Sequence, residues 1–144
     1  MAESRQFCTF YLDKIFFGIS VTNVLEIIKF LEMTPVPLSD ELIRGLINLR
    51  GQIVTAINLK KMLEIDEIEN GPEKNNMNII IKTEHGPVSL IADEIGDVLE
   101  LEDDIFEKPP ETLPQKIKEL ITGTYKLKEK LLLVLNTEKI MSKI

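Results

Sequence analysis

The chain has 144 residues, enough for one compact domain or two small ones packed together. Seventeen Lys and Arg against 24 Asp and Glu leave a net charge of −7, the wrong sign for neutralising nucleic-acid phosphate or an anionic membrane surface. The single cysteine, Cys8, allows no internal disulfide, the opening MAESRQFCTF has no apolar signal core, and no run approaches the roughly 20 apolar residues of a membrane helix, so a soluble cytoplasmic protein is expected.

Phe7 to Leu12 and Ile15 to Val21 are rich in aromatic and β-branched residues around Asp13-Lys14 and predict a hairpin. Thr22 is placed to cap a short helix whose apolar face is Val21, Val24, Leu25 and Ile28. Met33 to Leu38 carries two prolines and is expected extended, near a sheet edge. Ser39 then caps one turn containing Asp40 and Glu41, which Gly45 stops. Leu46 to Leu49 and Ile53 to Leu59 flank Arg50-Gly51-Gln52, a second hairpin whose tight turn needs Gly51. Polar, turn-rich residues 66–76 form a seam. Beyond it, Asn78 to Lys82 and Val88 to Ala92 form a hairpin around Glu84 to Pro87. Thr112 and Gln115 suggest a capping box, followed by a helix with Leu113, Ile117, Leu120 and Ile121 on one face and Gly123 at its end. Tyr125 to Leu127 and Lys130 to Leu135 close the series as a hairpin across Lys128-Glu129.

The second half repeats the first. Residues 119–141 match residues 41–63 at a spacing of 78 without a gap, with seven identities: Glu41/Glu119, Leu42/Leu120, Ile43/Ile121, Gly45/Gly123, Leu49/Leu127, Asn58/Asn136 and Lys61/Lys139. A weaker match at a spacing of 71 pairs Phe17–Val24 with Val88–Ile95. Two copies of about 70–80 residues mean a duplicated domain and not a solenoid. Short strands, tight turns and little helix predict a mainly β protein of two small closed or nearly closed barrels.

Motifs for chemistry are missing. His85 is the only histidine and sits beside Gly86-Pro87 in a turn, without spaced partners for catalysis or metal. Cys8 has no neighbouring cation to activate it and is expected to be a buried structural thiol. The acidic run Glu100, Glu102, Asp103 and Asp104 lacks the ligand spacing of a calcium loop and is expected to be a solvated face. No glycine-rich phosphate cradle is present. The chain therefore reads as a binding protein without enzyme activity, metal or cofactor.

Gly45-Leu46-Ile47-Asn48-Leu49-Arg50-Gly51 followed by Ile53 to Leu59 resembles the GxxNLRGxxxPVxDL signature of the CheW family of chemotaxis coupling proteins. Phe17-Gly18-Ile19, Val24 and Glu26-Ile27 are similar to that family's FGI…V…EI pattern. Val88 to Ile95 resembles its VGLVVDxV segment, and Ile121-Thr122-Gly123 with Leu131 to Asn136 its closing stretch. Thr55 and Asn58 depart from the usual proline and aspartate, and Ala92 from a usual valine. The resemblance implies two five-stranded SH3-like barrels sharing one core. Within a single domain spanning 1–144, one subdomain is expected at about 13–66, and the other at about 77–141 plus the N-terminal strand 6–12. It also implies an adaptor that bridges chemoreceptor cytoplasmic tips to the regulatory domain of a histidine kinase, in a membrane-associated array, with other copies of itself as further ring partners.

On that reading a helical receptor tip lies in an apolar groove between the barrels. Val24, Ile27 and Ile28 from the first copy and Ile95, Val98 and Leu99 from the second are the expected lining, with Arg50 beside them. Glu26 and Arg50 match the family's acid and base positions and are expected to pair. Kinase contact is expected at Met33, Pro35, Pro37, Leu38 and Ile43 on one barrel and at Phe106, Pro109 and Leu113 on the other. The rivals are a related scaffold of another array, such as one controlling pili or gliding, an acidic metal-dependent enzyme around Glu100 to Asp104, and a homodimeric structural protein.

Overall fold

The structure is a computed structural model and describes residues 3–29, 31–37, 41–65 and 76–144. The expectations for Leu38, Ser39, Asp40 and most of the 66–76 seam lie outside these residues.

Strand β1 (Ser4–Leu12) turns through Asp13-Lys14 into β2 (Ile15–Ser20), with Leu12 opposite Ile15. The chain then makes one 3-10 turn at Val21–Asn23 and enters β3 (Val24–Lys29). The helix expected here is absent. Val24, Ile27 and Ile28 are β-branched, which costs a helix side-chain freedom and suits a half-buried strand. Thr22 does not cap: its hydroxyl meets that of Ser20 at 2.9 Å. Strands β4 (Ile43–Leu49) and β5 (Gln52–Ile57) are joined by Arg50 and Gly51 alone, at φ 53° and 84°. Two successive left-handed residues are what a two-residue type I′ hairpin requires, and Gly51 supplies one without strain. The strand expected to reach Leu59 ends at Ile57, because Asn58 caps helix α1 (Leu59–Met62).

The second half runs β6 (Met77–Thr83), β7 (Gly86–Ala92), β8 (Glu94–Glu102), a 3-10 turn at Asp103–Ile105, β9 (Phe106–Glu107), α2 (Gln115–Leu120), β10 (Ile121–Lys126), β11 (Leu131–Leu135) and α3 (Thr137–Ser142). The capping box does not form. Pro114 occupies the cap position without a side-chain bond, and the Gln115 amide faces Glu119 at 3.4 Å. Leu113 precedes α2, and Ile121 opens β10.

Gly45 and Gly123 stop no helix or turn. Both lie inside strands at matching register slips, Ile43/Gly45 in β4 and Ile121/Gly123 in β10. A Cβ on Gly45 would sit 2.9 Å from the Thr34 carbonyl oxygen, and one on Gly123 would run into the Phe106 ring and the Glu107 carbonyl. These glycines let an extra strand approach, Thr34 bridging Leu46 in one half and Glu107 opposite Thr124 in the other.

Among the described residues the strands form two sheets, in the orders β8-β1-β2-β11-β10-β9 and β3-β6-β7-β5-β4. The duplication is visible in their pairing. Parallel β2/β11 (Phe16↔Leu132 to Gly18↔Val134) answers parallel β5/β7, and Phe10↔Ile95 answers Val24↔Ile81 across antiparallel pairs. Each sheet combines strands from both halves of the chain.

Alternation along the strands sorts side chains into three clusters. Between the sheets, Phe10, Leu12, Phe17 and Ile19 meet Ile57, Leu59, Ile79, Ile81 and Leu90, joined by Leu133, Leu135 and Ile140. On the far face of the six-stranded sheet, Phe7, Phe16, Tyr125, Leu132 and Val134 pack together. On the far face of the other sheet, Ile47, Val54, Ala56, Ile80 and Ile91 do so. Neighbours such as Phe16 and Phe17, or Ile80 and Ile81, thus serve different cores, as a period of two dictates. The result is mainly β, with one shared core and a smaller one within each sheet's curl.

Candidate docking surfaces

The Arg50 turn lies at the tip of the β4–β5 hairpin, and Glu26 projects from β3. The arginine fork takes both carboxylate oxygens: Nη1 donates to Glu26 Oε2 at 2.8 Å and Nη2 donates to Oε1. This is the pair expected from the sequence. The bond from Arg50 holds the Glu26 carboxyl below the usual range, and Glu26 in turn raises the guanidinium. Arg50 is 72% exposed, so the bidentate geometry aims the hairpin more than it stabilises the fold. The Asn48 side chain accepts from Gly51 N–H at 3.0 Å and holds the turn from below.

The expected groove residues fall into three groups. Val24, Ile27 and Ile95 are half-buried against the core between the sheets. Ile28 packs on the core of the five-stranded sheet and Leu99 on that of the six-stranded sheet. Val98 stands free at 58% exposure. Four further large apolar residues among those described are exposed and carry no surface role in the sequence reading: Leu25, Ile53, Ile105 and Ile144. A helical period puts Leu25 on the apolar face, whereas the strand exposes it. Once Val24–Lys29 is read as a strand, it occupies the solvent position beside Glu26.

The residues expected at the kinase surface also divide. Pro35 and Pro37 are exposed on the segment that bridges the β4 edge, while Met33 and Ile43 are half-buried, Met33 against the core behind it. On the other side the Phe106 ring is covered. Tyr125 lies 5.1 Å from its centroid, and the Arg5 guanidinium sits 5.1 Å away while donating to Asp103 at 2.7 Å and to the Tyr125 hydroxyl at 3.2 Å. Burial works against the Arg5 charge, but these bonds outweigh it and its pKa is raised. Pro109 is half-buried, and Leu113 packs on the central core.

The acidic run is only partly solvated. Glu100 accepts from the Ser4 hydroxyl at 2.7 Å, and Asp103 is engaged by Arg5. No three His, Cys, Asp or Glu side chains among the described residues are grouped to hold a metal. His85 is exposed in the β6–β7 turn and lines an open cavity of about 620 Å³ with Thr22, Lys82, Glu84 and Glu138. Cys8 is buried, and desolvation pushes its thiol pKa up, away from reactivity. None of the described helices is long and apolar enough to cross a membrane.

The body is built of two mixed sheets around a shared core, with an ordered charge pair and exposed apolar side chains on its outer strands and turns, a mainly β architecture. A family model for the CheW-like domain matches residues 6–144, and the chain belongs to that family. It is 30% identical over 142 residues to the chemotaxis protein CheW of Treponema pallidum (strain Nichols), covering 97% of this chain and 84% of that one. It is 32% identical over 127 residues to the chemotaxis protein CheW of Bacillus subtilis (strain 168), covering 88% and 80%. Its fold is similar to the crystal structure of the scaffolding protein TtCheW from Thermoanaerobacter tengcongensis, with a TM-score of 0.82, 27% identity, and coverage of 93% of this chain and 90% of that one.

Proposed function

We propose that this protein is a chemotaxis adaptor that couples the cytoplasmic tips of chemoreceptors to a histidine kinase, by binding alone and without catalysis. Family membership supports the adaptor role, since the curated relatives carry the name chemotaxis protein and a structural neighbour is a scaffolding protein. The observation that carries the coupling is the Glu26–Arg50 clasp beside exposed Leu25, with exposed Val98 on the matching strand of the second half. An ordered charge fork next to apolar side chains is suited to a helical hairpin that presents an apolar stripe with polar flanks. Val24, Ile27, Ile28, Ile95 and Leu99 support the strands behind that face. The Pro35–Pro37 edge, with Met33 and Ile43, is proposed for the kinase's regulatory domain. In the cell the protein works in the cytoplasm, recruited to membrane-associated receptor arrays.

Calorimetric titration of a receptor-tip fragment into the protein tests this. Wild type is expected to bind, and Leu25→Ser with Val98→Ser, both at exposed positions, to weaken binding at least tenfold with the melting profile kept. Undiminished binding by that variant removes the proposed face.

A further inference from the structure

Each half of the chain gives its first hairpin to the other half. Hairpin β1–β2 finds its outer partners in β8 and β11, both from the second half. Hairpin β6–β7 finds its own in β3 and β5, both from the first. Without the second half, the described residues before 66 keep the two-stranded pairs β1–β2 and β4–β5, the latter with the single Thr34–Leu46 bridge, and β3 loses the strand it pairs with, β6. Without the first half, β8 loses β1, its one strand partner, while β6–β7 and β10–β11 are left as hairpins, the latter with two-residue β9. Two-stranded hairpins are at best marginal in water. The core between the sheets is likewise shared, with Phe10, Phe17 and Ile57 from one half against Ile79, Leu90 and Leu133 from the other.

We infer that residues 1–65 and 76–144 are obligate binding partners that share a chain, and that a second copy of this protein can supply either half. Two chains that exchange halves rebuild every strand pair and the whole core twice. The exchanged pair carries two Glu26–Arg50 faces on one particle, a bivalent form of the docking body. This rests on strand pairing and is independent of the proposed partners. Within one chain the short connection holds the halves at an effective concentration on the order of millimolar, so exchange competes only when chains fold together near that concentration.

The test uses the full chain with a protease site placed within residues 66–75. After cleavage the protein is expected to run as one particle of intact mass. Mixed tagged and untagged cleaved samples, unfolded and refolded together, are expected to yield the untagged second half on the tag in roughly half of the molecules. Uncleaved chain refolded at about 1 mM is expected to give a dimer by light scattering that is absent after refolding at about 10 µM. Separation of the cleaved halves with either one retaining its β-sheet signal overturns the inference. So does a purely monomeric product at both refolding concentrations.

Discussion

Asn58 and Asn136 do the same work 78 residues apart. Each side chain accepts from the backbone N–H three residues on, Lys61 and Lys139, at 3.1 Å in both cases. Each backbone N–H donates at 2.8 Å to the carbonyl of a leucine, Leu42 in one half and Leu120 in the other. The short helices that follow, α1 and α3, place Leu59, Met62 and Ile140 in the core between the sheets. The repeat is therefore conserved within this chain down to individual hydrogen bonds, and it explains why aspartate is dispensable at Asn58: the amide oxygen serves as the cap.

Asn58→Ala and Asn136→Ala should each cost about 1 kcal/mol, the usual loss for a helix cap, and the two costs should agree closely. Urea denaturation of the two variants checks this. A large cost at one site and none at the other would show that the matching bonds do unequal work.

The two bulge glycines should be intolerant for a steric reason. Gly123→Ala drives a methyl group into the Phe106 ring and the Glu107 carbonyl, and Gly45→Ala drives one against the Thr34 carbonyl at 2.9 Å. Overpacking of this kind costs about 1–3 kcal/mol. Gly123→Ala is expected to be the worse, because its Cβ meets both a ring and the backbone. Gly51→Ala meets no atom but sits at φ 84°, so its cost should come from backbone strain alone.

Lys60 reaches from α1 to Asp93 at 2.7 Å, and Asp93 also accepts from the Asp13 backbone N–H at 2.6 Å. With Lys60 only 15% exposed, this link between α1, the first hairpin turn and the entry to β8 is better shielded than the Arg50 clasp. Lys60→Met should cost about 1–3 kcal/mol by leaving Asp93 without its cation. Arg50→Met should leave the urea midpoint essentially unchanged and show its effect in binding.

The clasp sets a pH dependence with a definite sign. The Glu26 carboxyl titrates below its ordinary value because Arg50 donates to it. The clasp is therefore complete above the ordinary glutamate range and is lost as pH falls through the lowered native value. Receptor-tip binding should hold through neutral pH and weaken only in acid below that range, and Glu26→Gln should remove this acid limb. A Glu26→Arg with Arg50→Glu exchange should restore much of what either single change loses.

Hairpins and the repeat were legible because their signals are local: Arg50-Gly51 demands a left-handed turn, and a spacing of 78 without gaps needs no structure to be seen. The strand at Val24–Lys29 was not, because its apolar residues also satisfy a helical period. The partner that settles the choice, β6, lies some 50 residues further on. Gly45 and Gly123 were misplaced for the same kind of reason, since the Thr34 and Phe106–Glu107 segments that crowd them arrive from elsewhere in the chain. The Glu26–Arg50 pair followed from family resemblance, whereas the Arg5 clasp over Phe106 joins residues about 100 apart with no signal in either segment.

The most direct test of the adaptor is sedimentation of the protein mixed with a receptor-tip fragment and the kinase's regulatory domain. All three should travel together as one complex, and Arg50→Glu should release the receptor fragment while the kinase domain stays bound. Mutual displacement of the two partners, or failure of both to bind the folded protein, would contradict the account.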